Sequence, residues 1–363
     1  MKILYDHQMF SIQRFGGVSR YFSELMKNIP SEHRFKLALI FSDNYYLKEN
    51  FRFFKKSNVL GDNNFKGKYY VKQALSSINH YYSTRCIASG KFDLFHPTYY
   101  NNYFLRSLKK PYVITVHDLI LFKFEHTFSA PIERKRQMEN AIKRANRIIA
   151  ISENTKKDLI EILKINPDKI DVVYHGYTKA SPAKKSLDYG KYILYVGRRG
   201  LYKNFLTFVK AISTLLNREK EIKLVCVGPP FDHEEMTVLT NLKMSDQAIA
   251  INVDDHTLND LYAGALVFVY PSVYEGFGMP ILEAFANNCP VCLSDASCFP
   301  EIAGSAGVYF DPYSHESILS AVQKVIYDEV LRKAIVEAGQ RRLTNFSWEK
   351  TAAETICSYK RTV

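Results

Sequence analysis

One stretch constrains the fold more than any other: Val269-Tyr270-Pro271-Ser272-Val273-Tyr274-Glu275-Gly276-Phe277-Gly278-Met279-Pro280-Ile281-Leu282-Glu283-Ala284. The apolar run from Ala265 to Tyr270 reads as a buried strand, and Gly276 and Gly278 mark a turn. Pro280 falls where the first position of a helix is expected, since its fixed φ is helical and its missing N–H is not needed there. Strand, glycine loop and helix start then present free backbone N–H groups and the positive end of a helix dipole, a setting suited to phosphate. Glu275 in the loop and Glu283 in the expected first helical turn supply carboxylates that can accept from vicinal sugar hydroxyls.

The same alternation recurs along the chain. Strands are expected at Lys2 to Tyr5, Phe35 to Phe41, Phe92 to Phe95, Tyr112 to Val116, Ile148 to Ile151 and Ile170 to Tyr174, and helical patterns lie between them. A second series starts at Tyr192 to Val196 and continues through Ile222 to Val227, Ala248 to Val253 and Pro290 to Ser294. Strands alternating with helices argue for doubly wound, parallel-sheet domains, and 363 residues are enough for two. Residues 1–176 are read as the first domain, 177–190, with Ser181-Pro182 and several lysines, as a linker, and 191–346 as the second domain. A final helix over 347–363 starts at Phe346-Ser347-Trp348. Ser152 and Asn154 are both plausible caps, and Asn154 precedes a helix expected from Thr155 to Leu163.

Composition removes several classes. No run of some twenty apolar residues is present to span a membrane, and Met1-Lys2-Ile3-Leu4-Tyr5-Asp6 reads as a first strand rather than a signal peptide. The formal charge of +12 is uneven: residues 1–180 hold 30 Lys and Arg against 16 Asp and Glu, a net +14, and the rest is −2. A cationic half points either to an anionic partner, namely a phospholipid surface, a lipid diphosphate or nucleic acid, or to a merely soluble basic surface. The Lys- and aromatic-rich segment from Asp43 to Tyr82 (Tyr45, Tyr46, Phe51, Phe53, Phe54, Lys55, Lys56, Lys66, Lys68, Tyr69, Tyr70) could lie on a bilayer or form a helical hairpin; burial of most of these aromatics is the favoured reading. No nucleic-acid-binding module surrounds it. The six cysteines are read as reduced core thiols of a cytosolic protein: Cys289-Pro290-Val291-Cys292 lacks a second pair to complete a zinc site. His233-Glu234-Glu235-Met236 lacks the second histidine of a zinc protease motif, so no metal site is expected.

The string from Tyr270 to Ala284 resembles the Glu-x7-Glu signature of retaining glycosyltransferases of family 4, including the flanking Tyr-Pro-Ser, Glu-Gly-Phe-Gly and Pro-x-Leu-Glu-Ala. Three other places carry the resemblance: Phe15-Gly16-Gly17 after the first strand, Val116-His117-Asp118-Leu119 at a strand end, and Val196-Gly197-Arg198 with Lys203-Asn204. It covers both halves, most strongly from Tyr192 to Pro312 and least from Asp43 to Tyr82. The resemblance implies a GT-B fold, two Rossmann-like domains facing a central cleft, the first binding acceptor and the second a nucleotide sugar. It implies that Arg198 and Lys203 bind the donor diphosphate, with Gly16 and Gly17 facing it. It also implies that Val253 lies against the base, that Glu283 holds the ribose, and that Glu275 contacts the donor sugar beside Gly276, Phe277, Gly278, Met279 and Pro280. His117 would sit beside the sugar and the acceptor hydroxyl.

The implied activity is retaining, metal-independent transfer of a hexose, mannose being one candidate, from a GDP- or UDP-sugar to a glycan or lipid-linked acceptor. Bacterial surface polysaccharide synthesis (O-antigen or capsule) at the cytoplasmic face of the inner membrane is the expected setting, without any further cofactor. Rival readings are a catalytically silent sugar-nucleotide binding protein, a GT-B epimerase and a phosphorylase. No motif for the latter two is visible, and the joint presence of Arg198, Lys203, Glu275, Glu283 and His117 weighs against the first.

Overall fold

The structure, a computed structural model, describes residues 1–51, 67–125, 131–178 and 189–363. The chain forms two units, one of Met1–Gly176 with Ser347–Val363, the other of Tyr177–Phe346. Phe53, Phe54, Lys55, Lys56 and Lys66, and most of the expected linker, lie outside the described residues.

Among its described residues the first unit has six strands, all parallel to their neighbours: β1 (Lys2–Tyr5), β2 (Arg34–Leu37), β3 (Leu94–His96), β4 (Val113–Val116), β5 (Arg147–Ala150) and β6 (Ile170–Val172). They form a β2-β1-β3 sheet and a β4-β5-β6 sheet, joined by a parallel bridge between Phe95 and Tyr112. Strand order reverses between β1 and β3, because the chain leaves β1 in opposite directions for its two neighbours. The β-branched and apolar runs of β4 and β5 are almost wholly buried, as strands covered on both faces must be.

The terminal helix Trp348–Lys360 belongs to this unit and is fastened by polar contacts. Tyr359 Oη bonds Tyr5 Oη at 2.9 Å and His96 Nδ1 at 2.6 Å, Thr351 Oγ1 donates to the Tyr174 carbonyl, and Arg361 joins Arg147 on Asp171. A Cβ on Gly176 would stand 2.2 Å from the Trp348 nitrogen, so the helix entry closes against bare backbone.

The second unit carries a six-stranded parallel sheet in the order β12-β11-β10-β7-β8-β9. The strands are β7 (Lys191–Val196), β8 (Ile222–Val227), β9 (Ala248–Ile251), β10 (Val267–Tyr270), β11 (Val291–Ser294) and β12 (Val308–Phe310). Here the order reverses between β7 and β10. The helix Phe205–Arg218 lays Phe205, Phe208, Ile212 and Leu216 against β7 and β8, and this face forms the core with Ile318, Val322 and Val325.

Several local expectations are corrected. The second strand stops at Leu37 rather than Phe41. The helix after β5 starts at Glu153, and its cap is Ser152, whose Oγ accepts from the Thr155 N–H at 3.0 Å; Asn154 lies inside the helix. Tyr69 and Tyr70 are exposed on the long helix Lys68–Ser89, against the favoured burial, because the buried face of that helix carries Asn79, Ser83, Cys86 and Ile87 instead. All six cysteines are free, but Cys357 is exposed rather than in the core.

Candidate active site

Ligands of doubly wound sheets bind outside the carboxyl ends of the strands, where strand order reverses. In the second unit that point receives two loops, one after β7 and one after β10. The loop after β7 carries Arg198, an exposed side chain, and the 3-10 turn Leu201–Lys203. The loop after β10 carries Glu275 to Gly278. The Val273 N–H donates to the Tyr202 carbonyl at 2.8 Å, tying the loops together. Lys203 Nζ donates to Glu275 Oε1 at 2.5 Å, with the two side chains 17% and 12% exposed. The rings of Tyr202 and Tyr270 stand 5.2 Å and 5.7 Å from the ammonium. Burial, and then the Glu275 charge, keep the Tyr270 phenol protonated. Ser297 and Cys298 fix the Glu275 backbone, the hydroxyl donating to its carbonyl at 2.7 Å and the thiol at 3.3 Å.

The helix after this loop spans Met279–Ala286, one residue earlier than the sequence suggests, so Pro280 is its second residue and Glu283 lies just past the first turn. The cause is Gly278, whose φ of 90° lets the chain turn straight into the helix. A Cβ there would also meet Ile281 and Phe299 at 3.1 Å and 3.3 Å. Glu283 is half-buried, and Tyr262 Oη donates to its Oε2 at 3.4 Å. Gly276 and Phe277 are buried, Met279 and Pro280 half-buried. Val253 is half-buried in the loop after β9, next to Asp254, which caps the helix Asp255–Gly264.

Arg198 and Arg199 divide the work of adjacent arginines. Arg199 is buried, donates from Nε to Glu235 at 2.9 Å and from Nη2 to the Pro229 and Pro230 carbonyls, and lies over Phe231. Glu235, from the rejected metal motif, closes a capping box with Asp232 and so serves structure. Arg198 keeps its guanidinium toward solvent. Asn204 has φ 58° and spends its amide on the Pro312 carbonyl at 2.7 Å, so no side chain caps the helix Phe205–Arg218.

In the first unit Gly16 precedes and Gly17 begins the helix Gly17–Lys27. A Cβ on Gly16 would fall on the Gln13 side-chain amide, whose oxygen accepts from the Ser19 N–H. His117 follows β4, its N–H donating to Tyr100 Oη at 2.9 Å. Its ring is buried among Tyr21, Phe22 and His175, and burial holds its pKa down at about 3, so the imidazole is neutral. Among the described residues nothing lies within hydrogen-bond reach of His117 Nε2. The sequence reading gave no weight to Ser297, Tyr202 or Tyr100; each acts by long-range packing or backbone bonding that no local pattern marks.

The sequence profile of glycosyl transferases group 1 matches residues 178–342, and that of glycosyltransferase family 4 matches residues 15–179. The chain is 30% identical over 279 residues to O-antigen chain mannosyltransferase B of Escherichia coli, covering 71% of this chain and 72% of that protein. It is 27% identical over 213 residues to O-antigen chain mannosyltransferase RfbU of Salmonella typhimurium, covering 58% and 60%. Anabaena HepE, solved in complex with UDP and glucose, superposes with a TM-score of 0.76 over 99% of each chain at 16% identity, a likeness of GT-B fold. The chain belongs to the group 1 glycosyltransferases, family 4, of the GT-B fold.

Proposed function

We propose that this glycosyltransferase moves a hexose, with mannose the leading candidate, from a GDP- or UDP-sugar to a glycan or lipid-linked acceptor of a surface polysaccharide. The mannosyltransferase names of the matched relatives support the sugar and the setting. The observation that carries the reading is the loop pair at the strand-order reversal of the second unit. It sets an exposed Arg198, the Lys203 ammonium and the Met279 helix start beside one another in sequence and topology. A diphosphate leaving group develops negative charge as the anomeric C–O bond breaks, and fixed cations and backbone dipoles stabilise that charge without reorganising. The Lys203 ammonium is a compact point charge of the kind that binds phosphate oxygens. In the proposed assignment Glu283 accepts from the ribose hydroxyls, Glu275 from the sugar, and Val253 packs on the base.

The reaction retains configuration in this reading. The acceptor oxygen attacks the anomeric carbon on the face that the diphosphate leaves, and the acceptor proton passes to the departing phosphate oxygen. A neutral His117 suits a hydrogen-bonding role toward a hydroxyl and does not require a protein base. Turnover independent of metal is part of the proposal, because the cations already answer the leaving-group charge.

Work at the cytoplasmic membrane face is proposed from the +14 charge of residues 1–180 and from Tyr70, Ile78 and Tyr81, exposed on one side of the helix Lys68–Ser89. Among the described residues no helix is long and apolar enough to cross a membrane.

The test is calorimetric titration with GDP-, UDP- and ADP-sugars, followed by NMR of the anomeric configuration of the product in excess EDTA. Binding of one sugar nucleotide and an α-linked product from an α-linked donor support the reading. Binding of none of them, an inverted product, or loss of turnover restored by Mg²⁺ each refutes the corresponding part.

A further inference from the structure

The first unit has its own strand-order reversal, between β1 and β3, and a cavity of about 360 Å3 opens there. That is a size typical of ligand sites, roughly 300–1,000 Å3. His7, two residues past β1, forms one wall; Asn101 and Tyr103, past β3, form another; Ser77 and His80 come from the helix Lys68–Ser89. His7 is 6% exposed, and its Nδ1 pairs with Ser11 Oγ at 3.1 Å. Among the described residues nothing lies within hydrogen-bond reach of His7 Nε2. A buried ring nitrogen without a partner forfeits the hydrogen bond it had in water, so its natural complement is a group in the cavity.

The chemistry of the walls selects that group. Burial chiefly keeps the His7 imidazole neutral, so Nε2 is either a donor or an acceptor according to tautomer; a hydroxyl satisfies both, an anion only one. Behind the wall lies Asp6, fully buried, accepting from Gln8 Nε2 at 2.7 Å, from the Thr98 N–H at 2.8 Å and hydroxyl at 2.7 Å, and from Tyr103 Oη at 3.2 Å. A carboxylate so placed opposes an anion, and among the described residues no Lys or Arg lines this cavity to offset it. Hydroxyl, amide and imidazole groups beside the Tyr103 ring match a sugar, which offers hydroxyls at its rim and C–H groups on its faces. Asn101 follows Tyr100, whose hydroxyl holds His117, so cavity and proposed reaction residue hang from one loop. A second cavity of about 440 Å3 shares Gln8, Ile12 and Asn101 as walls, giving room for a further residue of a chain.

From this geometry we infer that the His7 cavity is a saccharide subsite that reads an uncharged sugar ring of the acceptor, with His7 Nε2 as a specificity-determining contact. The inference rests on the proposed glycan acceptor.

The test is saturation-transfer NMR of the full-length protein with methyl glycosides of mannose, galactose, rhamnose, N-acetylglucosamine and N-acetylgalactosamine. It compares the wild type with His7→Phe and Ser77→Trp and uses inorganic phosphate as competitor. Ser77 is exposed on its helix, so S77W fills the cavity mouth without touching the core even if H7F folds poorly. The expected result is transfer to at least one glycoside, a fall of fivefold or more in S77W and in folded H7F, no competition by phosphate, and unchanged calorimetric binding of the nucleotide sugar. Absence of transfer to every glycoside, equal transfer in S77W, or displacement by phosphate overturns the inference. Failure of the wild type to bind any nucleotide sugar, with glycoside transfer intact, instead overturns the proposed donor reaction.

Discussion

Replacing Lys203 by Met isolates the ion pair at the second unit's strand-order reversal. Met keeps the length of the stem and removes the charge, leaving the Glu275 carboxylate 12% exposed without the ammonium 2.5 Å away. Breaking a buried pair by removing one partner costs about 3–5 kcal/mol; because both side chains keep some solvent, the lower figure, about 3 kcal/mol, applies. For a unit of this size that is a fall of roughly 6–12 °C in Tm. The double variant K203M/E275Q has no charge to strand and should recover most of the loss. Denaturant titrations of wild type, both single variants and the double variant at pH 8 complete the cycle. If K203M and K203M/E275Q are equally destabilised at pH 8, the pair does not hold the loop and the reasoning fails.

The two adjacent arginines should separate cleanly: Arg198→Ala should weaken nucleotide-sugar binding by about 1.5–3 kcal/mol at near-normal stability, whereas Arg199→Ala should cost about 3 kcal/mol of folding by stranding Glu235. Calorimetry beside thermal melts reads both, and equal behaviour refutes the division. His117→Ala should keep the fold and donor binding while lowering kcat by roughly 10²-fold; a normal kcat removes it from the reaction. Burial holds His96 and His117 at about 3 against 6.5 when unfolded. The unfolded chain therefore binds protons the fold refuses, and stability is full above pH 6.5 and lost as pH falls from there toward 3, by roughly 2 kcal/mol per imidazole at pH 5. A denaturation midpoint of the first unit that does not move between pH 7.5 and 5 contradicts this. Vesicles of anionic lipid should bind the protein at low salt and release it as salt rises; equal binding to neutral vesicles, or none to either kind, rejects membrane attachment through charge.

What could be read from the sequence was local. A buried run followed by Gly276, Gly278 and Pro280 can only be strand, turn and helix, and the same punctuation repeated along the chain gives parallel sheets. Boundaries failed where one dihedral decided them: Gly278 at φ 90° moves the helix start to Met279, and the Ser152 hydroxyl wins the cap from Asn154 because it reaches the Thr155 N–H. Tyr69 and Tyr70 depart from the expected burial for a different reason. Tyr69 and Tyr70 have the bulk of core residues, but the helix that carries them turns Asn79 and Ser83 inward, where Asn79 Oδ1 accepts from the Ile40 and Phe41 N–H groups.

The site divides along the same line. Glu275, Glu283, Arg198 and Lys203 stand out because glycine loops and strand ends flag them. Nothing local distinguishes Arg198 from Arg199. The difference is made by Glu235 and by the Pro229 and Pro230 carbonyls, which come from the far end of β8 and the helix beyond it. His7 is the extreme case: in the sequence it is one polar residue after a first strand. Its isolation follows only once β3 brings Thr98 and Tyr103 to occupy Asp6, leaving the neighbouring ring nitrogen facing a cavity. Residues that bind through a motif are thus visible one loop at a time, while a residue that binds through what its neighbours have already satisfied becomes visible only when the sheet order is known.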